Sequence, residues 1–160
     1  MSIGLVRSKL DERKDSVRMV DVSGKDVIKR YAEASGDIIL KTETMKEIQD
    51  GTTKKGNVLA VSETAGILAA KKTSEIIPLC HQIPLTSVEV FFNLNKTGVH
   101  ATCRVSANYV TGVEMEALVG VTTALLSIWD MVKYLEKDAD GQYPDARLEN
   151  IRVIEKRKGE

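Results

Sequence analysis

Residues 111–133 read TGVEMEALVGVTTALLSIWDMVK, a run regular enough to dictate one long helix and much of what must surround it. Leu118, Val121, Leu125, Ile128, Val132 and Leu135 recur at steps of three and four and form a core-facing stripe. At about 100° per residue, Asp130 falls on the opposite side of that helix. An ordinary surface helix would surround it with charge. Here its companions are Val119, Thr123, Leu126, Ser127 and Tyr134, so the back face is half apolar too. The pattern predicts a helix covered on both sides, whose acids and lysines sit partly closed off and with perturbed pKa values.

The rest of the chain supplies what such a helix could pack against. Residues 87–94 and 99–107 alternate, Val88, Val90, Phe92 and Leu94 answering Val99, Ala101, Cys103 and Val105. With Asn95, Lys96, Thr97 and Gly98 as the turn, this predicts a hairpin. Thr44 and Glu47 have capping-box spacing for a helix that ends at Gly51. A second helix, rich in alanine and glycine, is predicted over about residues 62–75, small enough along its length for close packing. Residues 27–40 are ambiguous: KDVIKRYAEA suits a helix and GDIILK a strand. A last strand is expected over 147–154. Residues 1–17 read as a charge-rich arm, 18–156 as one domain and 157–160 as a basic tail. The order fits an α+β sandwich, ferredoxin-like, with an antiparallel sheet and helices packed on one face.

Composition narrows the function. Lysines and arginines number 23 against 23 acids, so no broad basic field argues for nucleic acid, and aromatics at 4% are too few for a base-stacking platform. No apolar run reads as a membrane span. Cys80 and Cys103 lack paired ligand spacing, and no signal sequence precedes them. Both read as reduced thiols of a cytoplasmic protein without a metal site.

Few residues are left to carry chemistry. His81 ends an apolar run between Pro78 and Pro84, where a ring could be held still; His100 alternates with its strand's apolar residues and is expected to face solvent. Lys54 and Lys55 beside Gly56 make either a solvated charged turn or a loop that grips phosphate. No phosphate-loop or dinucleotide fingerprint is present, so a polyphosphate would be met by side-chain cations such as Arg18, Lys71, Lys72 and Lys133. Asp130 and Lys133 are neighbours at i,i+3. Fourteen residues separate Glu116 from Asp130, roughly 21 Å along a straight helix, too far to flank one small substrate. Two copies of the helix packed antiparallel about a two-fold axis would bring Glu116 of one near Asp130 of the other. A non-catalytic purine-nucleotide-binding module and an oligomeric scaffold fit these features as well.

MVDVS at 19–23, KKGNVL at 54–59, AGILAAKKT at 65–73, IPLCH at 77–81, TGVEMEAL at 111–118 and WDMVK at 129–133 occur in one order along the chain. In that order they resemble cyclic pyranopterin monophosphate synthase, the molybdenum cofactor biosynthesis protein C (MoaC) family. IPLCH and TGVEMEAL together carry most of the specificity. The resemblance implies a ferredoxin-like fold in a homohexamer, a trimer of dimers with sites at the dimer interface. It implies a lyase that converts 3′,8-cyclo-7,8-dihydroguanosine 5′-triphosphate, supplied by a radical S-adenosylmethionine enzyme, to cyclic pyranopterin monophosphate and diphosphate. No metal or organic cofactor is implied. Position by position, Asp130 matches the family's active-site acid, Lys133 its partner, Lys55 the loop lysine and Lys71 the lysine after the alanine pair. Leu79, Cys80 and His81 match one substrate-contacting run, and Met115 and Glu116, with Glu114 beside them, another. Arg18 is a further candidate phosphate contact. Asn57 stands where many members have Asp, Glu63 where Arg is common, and KRKGE replaces a glycine-rich tail.

Overall fold

A computed structural model describes residues 17–159; the arm expected over 1–17 falls, but for Val17, outside them. The elements are β1 (Ile28–Ile39), α1 (Thr42–Asp50), α2 (Val58–Lys71), α3 (Thr73–Ile76), β2 (Leu85–Asn95), β3 (Gly98–Tyr109), α4 (Glu114–Glu136) and β4 (Arg147–Lys158). The sheet has the order β2-β3-β1-β4 and every pairing is antiparallel. With α2 and α4 packed on one face, this is the expected ferredoxin-like α+β sandwich.

The hairpin pairs as its alternation requires, Leu94 with Val99, Phe92 with Ala101, Val90 with Cys103 and Val88 with Val105. The ambiguous stretch is one strand. Ala32, Ala34 and Ile38 are fully buried under the helices while Glu33 and Asp37 point to the other face. Pairing with β3 on one side and β4 on the other overrides the helical preference of RYAEA, a tertiary decision. On the outward face His100 is half-exposed as expected, but Nδ1 lies 2.7 Å from Asp37, whose other oxygen accepts from Asn150 Nδ2 at 2.9 Å.

Three boundaries differ from expectation. The capping box does not form: α1 starts at Thr42, and Thr44, buried in its first turn, donates its hydroxyl to Glu136. That fully buried carboxylate also accepts the Lys41 N–H at 3.1 Å, so α4 supplies the cap that α1's own sequence lacks. Helix α2 starts four residues earlier than expected because Asn57 caps it, accepting from Ala60 N–H at 3.0 Å. Strand β4 runs on to Lys158, making Arg157 and Lys158 sheet residues rather than tail.

In α4, Val121, Leu125, Ile128 and Val132 are fully buried and Leu118 and Leu135 pack at the margins. By length and composition α4 could cross a membrane, contrary to the reading of the sequence, with a window of mean hydropathy 1.4. Here, though, its apolar side covers the sheet and α2. Its backbone touches α2: a Cβ on Gly120 would lie 2.6 Å from Cys103 Sγ and 3.3 Å from both Ala70 Cβ and Gly66 O. A Cβ on Gly66 would meet Gly120 O at 3.0 Å and Ala124 Cβ at 3.1 Å. The two helices therefore run antiparallel at a close crossing. Gly120→Val should cost about 1–3 kcal/mol in a urea melt by overpacking this crossing, whereas Gly24→Ala, with nothing within 4 Å, should change little.

Candidate active site

The loop between α1 and α2 closes as a turn over residues 53–56. Gly56 N–H donates to Thr53 O at 3.1 Å, and the Thr53 hydroxyl donates to Gly56 O at 2.5 Å. Gly56 takes φ 92°, which a side chain would resist. Lys54 and Lys55 are its exposed middle residues. Lys55 Nζ reaches α4, donating to Asp130 Oδ2 at 2.8 Å and to the Asp130 carbonyl at 2.9 Å. Lys133 Nζ sits 2.7 Å from Asp130 Oδ1. Each oxygen of one carboxylate thus holds one ammonium.

Hydrogen bonds from Lys133, and then from Lys55, hold Asp130 well below the usual carboxylate range, at about 2, and Asp130 raises Lys133 in return. Burial is not the cause, contrary to expectation, because the Asp130 and Lys133 side chains are 56% and 46% exposed in the single chain. Water screens the three charges, so the clamp contributes little to folding. Its effect is to order two cations beside a groove of about 340 Å³ lined by Leu126, Trp129, Asp130, Lys133 and Leu148.

The other end of α4 is drier. Glu116 is 3% exposed, and its Oε2 has no hydrogen-bond partner among the described residues. Burial pushes its carboxyl up, with the Glu114 charge adding to the effect. Burial also works to raise Glu114, but the Lys156 ammonium of β4 outweighs it and holds that carboxyl down. Cys80 is raised by burial and by the nearby Glu116 charge, so IPLCH and α4's first turn are neighbours. His81 Nε2 lies 2.7 Å from Val20 O. Because a carbonyl only accepts, this ring donates from Nε2 and keeps Nδ1 for another partner. His81 also helps line a hollow of about 530 Å³ with residues 19–23, Tyr109 and Val110. Leu79 and Met115 are exposed at 45% and 36%. Lys71, at the end of α2 that packs near Gly120, walls a hollow of about 330 Å³ with Ile67, Ile83 and Leu85. Arg18 is exposed ahead of β1.

The candidates thus form two groups. Lys55, Asp130 and Lys133 meet at the C-terminal half of α4. Glu114, Met115, Glu116, Cys80, His81 and Lys71 gather toward its N-terminal end. The unbroken helix keeps Glu116 and Asp130 roughly 21 Å apart, so one chain does not bring the groups together. Among the described residues, no three His, Cys, Asp or Glu side chains gather as a metal site. Cys103 is buried, its thiol pushed up to about 12. The sequence reading missed two partners: Lys156, which neutralises Glu114, and Tyr134, whose hydroxyl accepts the Lys54 N–H at 2.9 Å. The i,i+4 spacing of Tyr134 from Asp130 was the available signal.

Residues 19–159 match the family model described as MoaC family. The chain belongs to the MoaC family. It is 59% identical over 151 residues to a probable cyclic pyranopterin monophosphate synthase of Thermococcus kodakarensis, 94% of this chain and 96% of that one. Proteins of the same name are 57% identical over 149 residues in Pyrococcus abyssi (93% and 92%) and 56% over 144 in Methanococcoides burtonii (90% and 91%). Both ends of α4 lie inside the MoaC match.

In this MoaC chain the folded Asp130 has a pKa below its ordinary value of 3.8. Its ion pairs therefore favour the folded state above about pH 4, and that contribution is lost as pH falls toward 2. A carboxyl-carbon NMR titration should find the Asp130 midpoint near 2. It should rise toward the ordinary value in Lys133→Ala and, by a smaller step, in Lys55→Ala; an unmoved midpoint in both would mean that the clamp does not form in solution.

Proposed function

We propose that this MoaC chain is a cyclic pyranopterin monophosphate synthase. It converts 3′,8-cyclo-7,8-dihydroguanosine 5′-triphosphate to cyclic pyranopterin monophosphate with release of diphosphate, an early step of molybdenum cofactor biosynthesis. The observation that carries the reading is the Lys55–Asp130–Lys133 clamp. It sits in a chain alike over nine-tenths of its length to proteins of that name. A triphosphate needs ordered cations where charge builds on the leaving diphosphate. Two lysines held on one carboxylate are such a pair.

The opposite shifts of the two acids divide the labour. Asp130 stays ionised far below neutral pH, which makes it a weak proton acceptor and a good anchor for the lysines. Glu116 is the acid whose burial favours the protonated form, so it is suited to exchanging protons with the rearranging purine-derived ring. His81, whose Nδ1 has no partner among the described residues, is a second proton carrier. In the phosphoryl step a substrate hydroxyl attacks the α-phosphorus in line; its P–O bond forms as the bond to diphosphate breaks, and its proton passes to a protein base. The lysines stabilise the departing charge. Leu79, Cys80 and Met115 then shape the ring pocket, and Lys71 and Arg18 contact phosphate.

Because the two groups lie at opposite ends of α4, a complete site takes Glu116 and His81 from one protomer and Lys55, Asp130 and Lys133 from another. Such pairing would also cover the half-apolar groove at Leu126 and Trp129 and dry the clamp. We read the assembly as a hexamer, a trimer of such dimers, acting in the cytoplasm on the product of a radical S-adenosylmethionine enzyme and needing no cofactor of its own.

Subunit mixing tests the shared site. Glu116→Ala and Asp130→Ala should each be inactive alone on the cyclised triphosphate. Exchanged together, they should recover about a quarter of wild-type turnover, because half the dimers are mixed and each has one intact site. No recovery after proven exchange would mean that each chain holds its own site. The buried acid gives a second test. Its raised pKa makes the ionised form unfavourable in the fold, a cost present above the folded pKa and relieved as pH falls below it. Glu116→Gln should therefore melt higher than wild type at pH 7.5 while losing turnover at least about 100-fold. Unchanged turnover in Glu116→Gln would mean that the buried acid is merely structural.

A further inference from the structure

The lysine turn is gripped by α4 at two points, one turn of helix apart. Asp130 takes the Lys55 ammonium, and Tyr134, four residues on, takes the Lys54 N–H through its hydroxyl at 2.9 Å. The same hydroxyl donates to Glu47 Oε2 of α1 at 3.4 Å, so one atom ties together both helices and the turn between α1 and α2. Lys54 Nζ lies 5.0 Å from the centroid of the Tyr134 ring, which keeps its ammonium on the ring's side of the turn. Without the Tyr134 contact, the turn would keep its internal Thr53–Gly56 bonds but could pivot about its ends. Lys55 would then be aligned with α4 by its own flexible side chain's bonds to Asp130 alone, with no backbone contact to orient the turn.

We propose that Tyr134 is a positioning residue: its hydroxyl orients the turn over residues 53–56 so that Lys55 is delivered to Asp130 and to the phosphates of the substrate. The proposal rests on the reading of Lys55 as a phosphate-binding lysine. It assigns Tyr134 no contact with the reacting atoms. A side chain that acts only through Lys55 has no effect once Lys55 is gone, and this distinguishes it from a residue that touches substrate or merely supports the fold.

Tyr134→Phe isolates the hydroxyl, since the ring, its packing and its attraction for Lys54 remain. In the full-length protein, amide hydrogen exchange at Lys54 should speed up in Tyr134→Phe while amides of α4 before residue 130 keep their protection and the melting temperature stays close to wild type. With the cyclised guanosine triphosphate as substrate, Tyr134→Phe should lower kcat/KM about 3- to 10-fold, the scale of one lost hydrogen bond. Added to Lys55→Ala, it should lower it no further. Unchanged Lys54 exchange, unchanged kcat/KM in the single variant, or multiplying losses in the double variant would each overturn the proposal. If Lys55→Ala itself turns over like wild type, the phosphate-binding reading fails. The exchange measurement then still decides whether the hydroxyl holds the turn.

Discussion

Everything around the candidate site depends on how closely α2 and α4 approach. At Gly66 and Gly120 the two backbones touch, with Ala70 and Ala124 filling the margins and Cys103 of β3 closing the crossing from below. No larger side chain fits between them, so their relative position has little freedom. That contact fixes where each end of α2 falls along α4. The N-terminal end brings the lysine turn beside Asp130, and the C-terminal end brings Lys71 and the IPLCH run toward Glu116. The charged groups occupy positions that apolar packing has already determined.

The two ends of α4 show how one helix can carry acids of opposite character. Asp130 is half in water with an ammonium on each oxygen, and it remains a carboxylate. Glu116 is almost wholly buried, with one oxygen unpaired among the described residues, and burial favours its proton. Glu114, two residues away, is buried less, and the Lys156 ammonium on its Oε1 holds its carboxyl down. Sequence type does not separate these roles; the local dielectric and the nearest cation do.

The hairpin was legible because alternation specifies which residues face the helices, and a slip of one residue would turn Val88, Val90 and Phe92 to the outside. The stripe on α4 was legible for the same reason at the helical period. Less legible were features whose cause lies far away in the chain. RYAEA became strand because β3 and β4 flank it. Thr44 gave up its capping role because Glu136, 92 residues distant, offers an acceptor. Asp130 and Lys133 were recognised as a pair, but their perturbation was traced to burial when it comes from their own ion pair and, for Asp130, from a second ammonium on Lys55, 75 residues away.

By itself, then, the sequence determined periodicities, the hairpin and the identity of the groups that could do chemistry, together with the motifs that mark the MoaC family. Those are local properties, set by side-chain size, polarity and spacing along the chain. Only the tertiary structure decided the fate of residues 27–40, the cap of α1, the two-point hold on the lysine turn and the opposite pKa shifts of Glu116 and Asp130. Each of these depends on atoms that chain order keeps apart and packing brings within hydrogen-bond or Coulomb range.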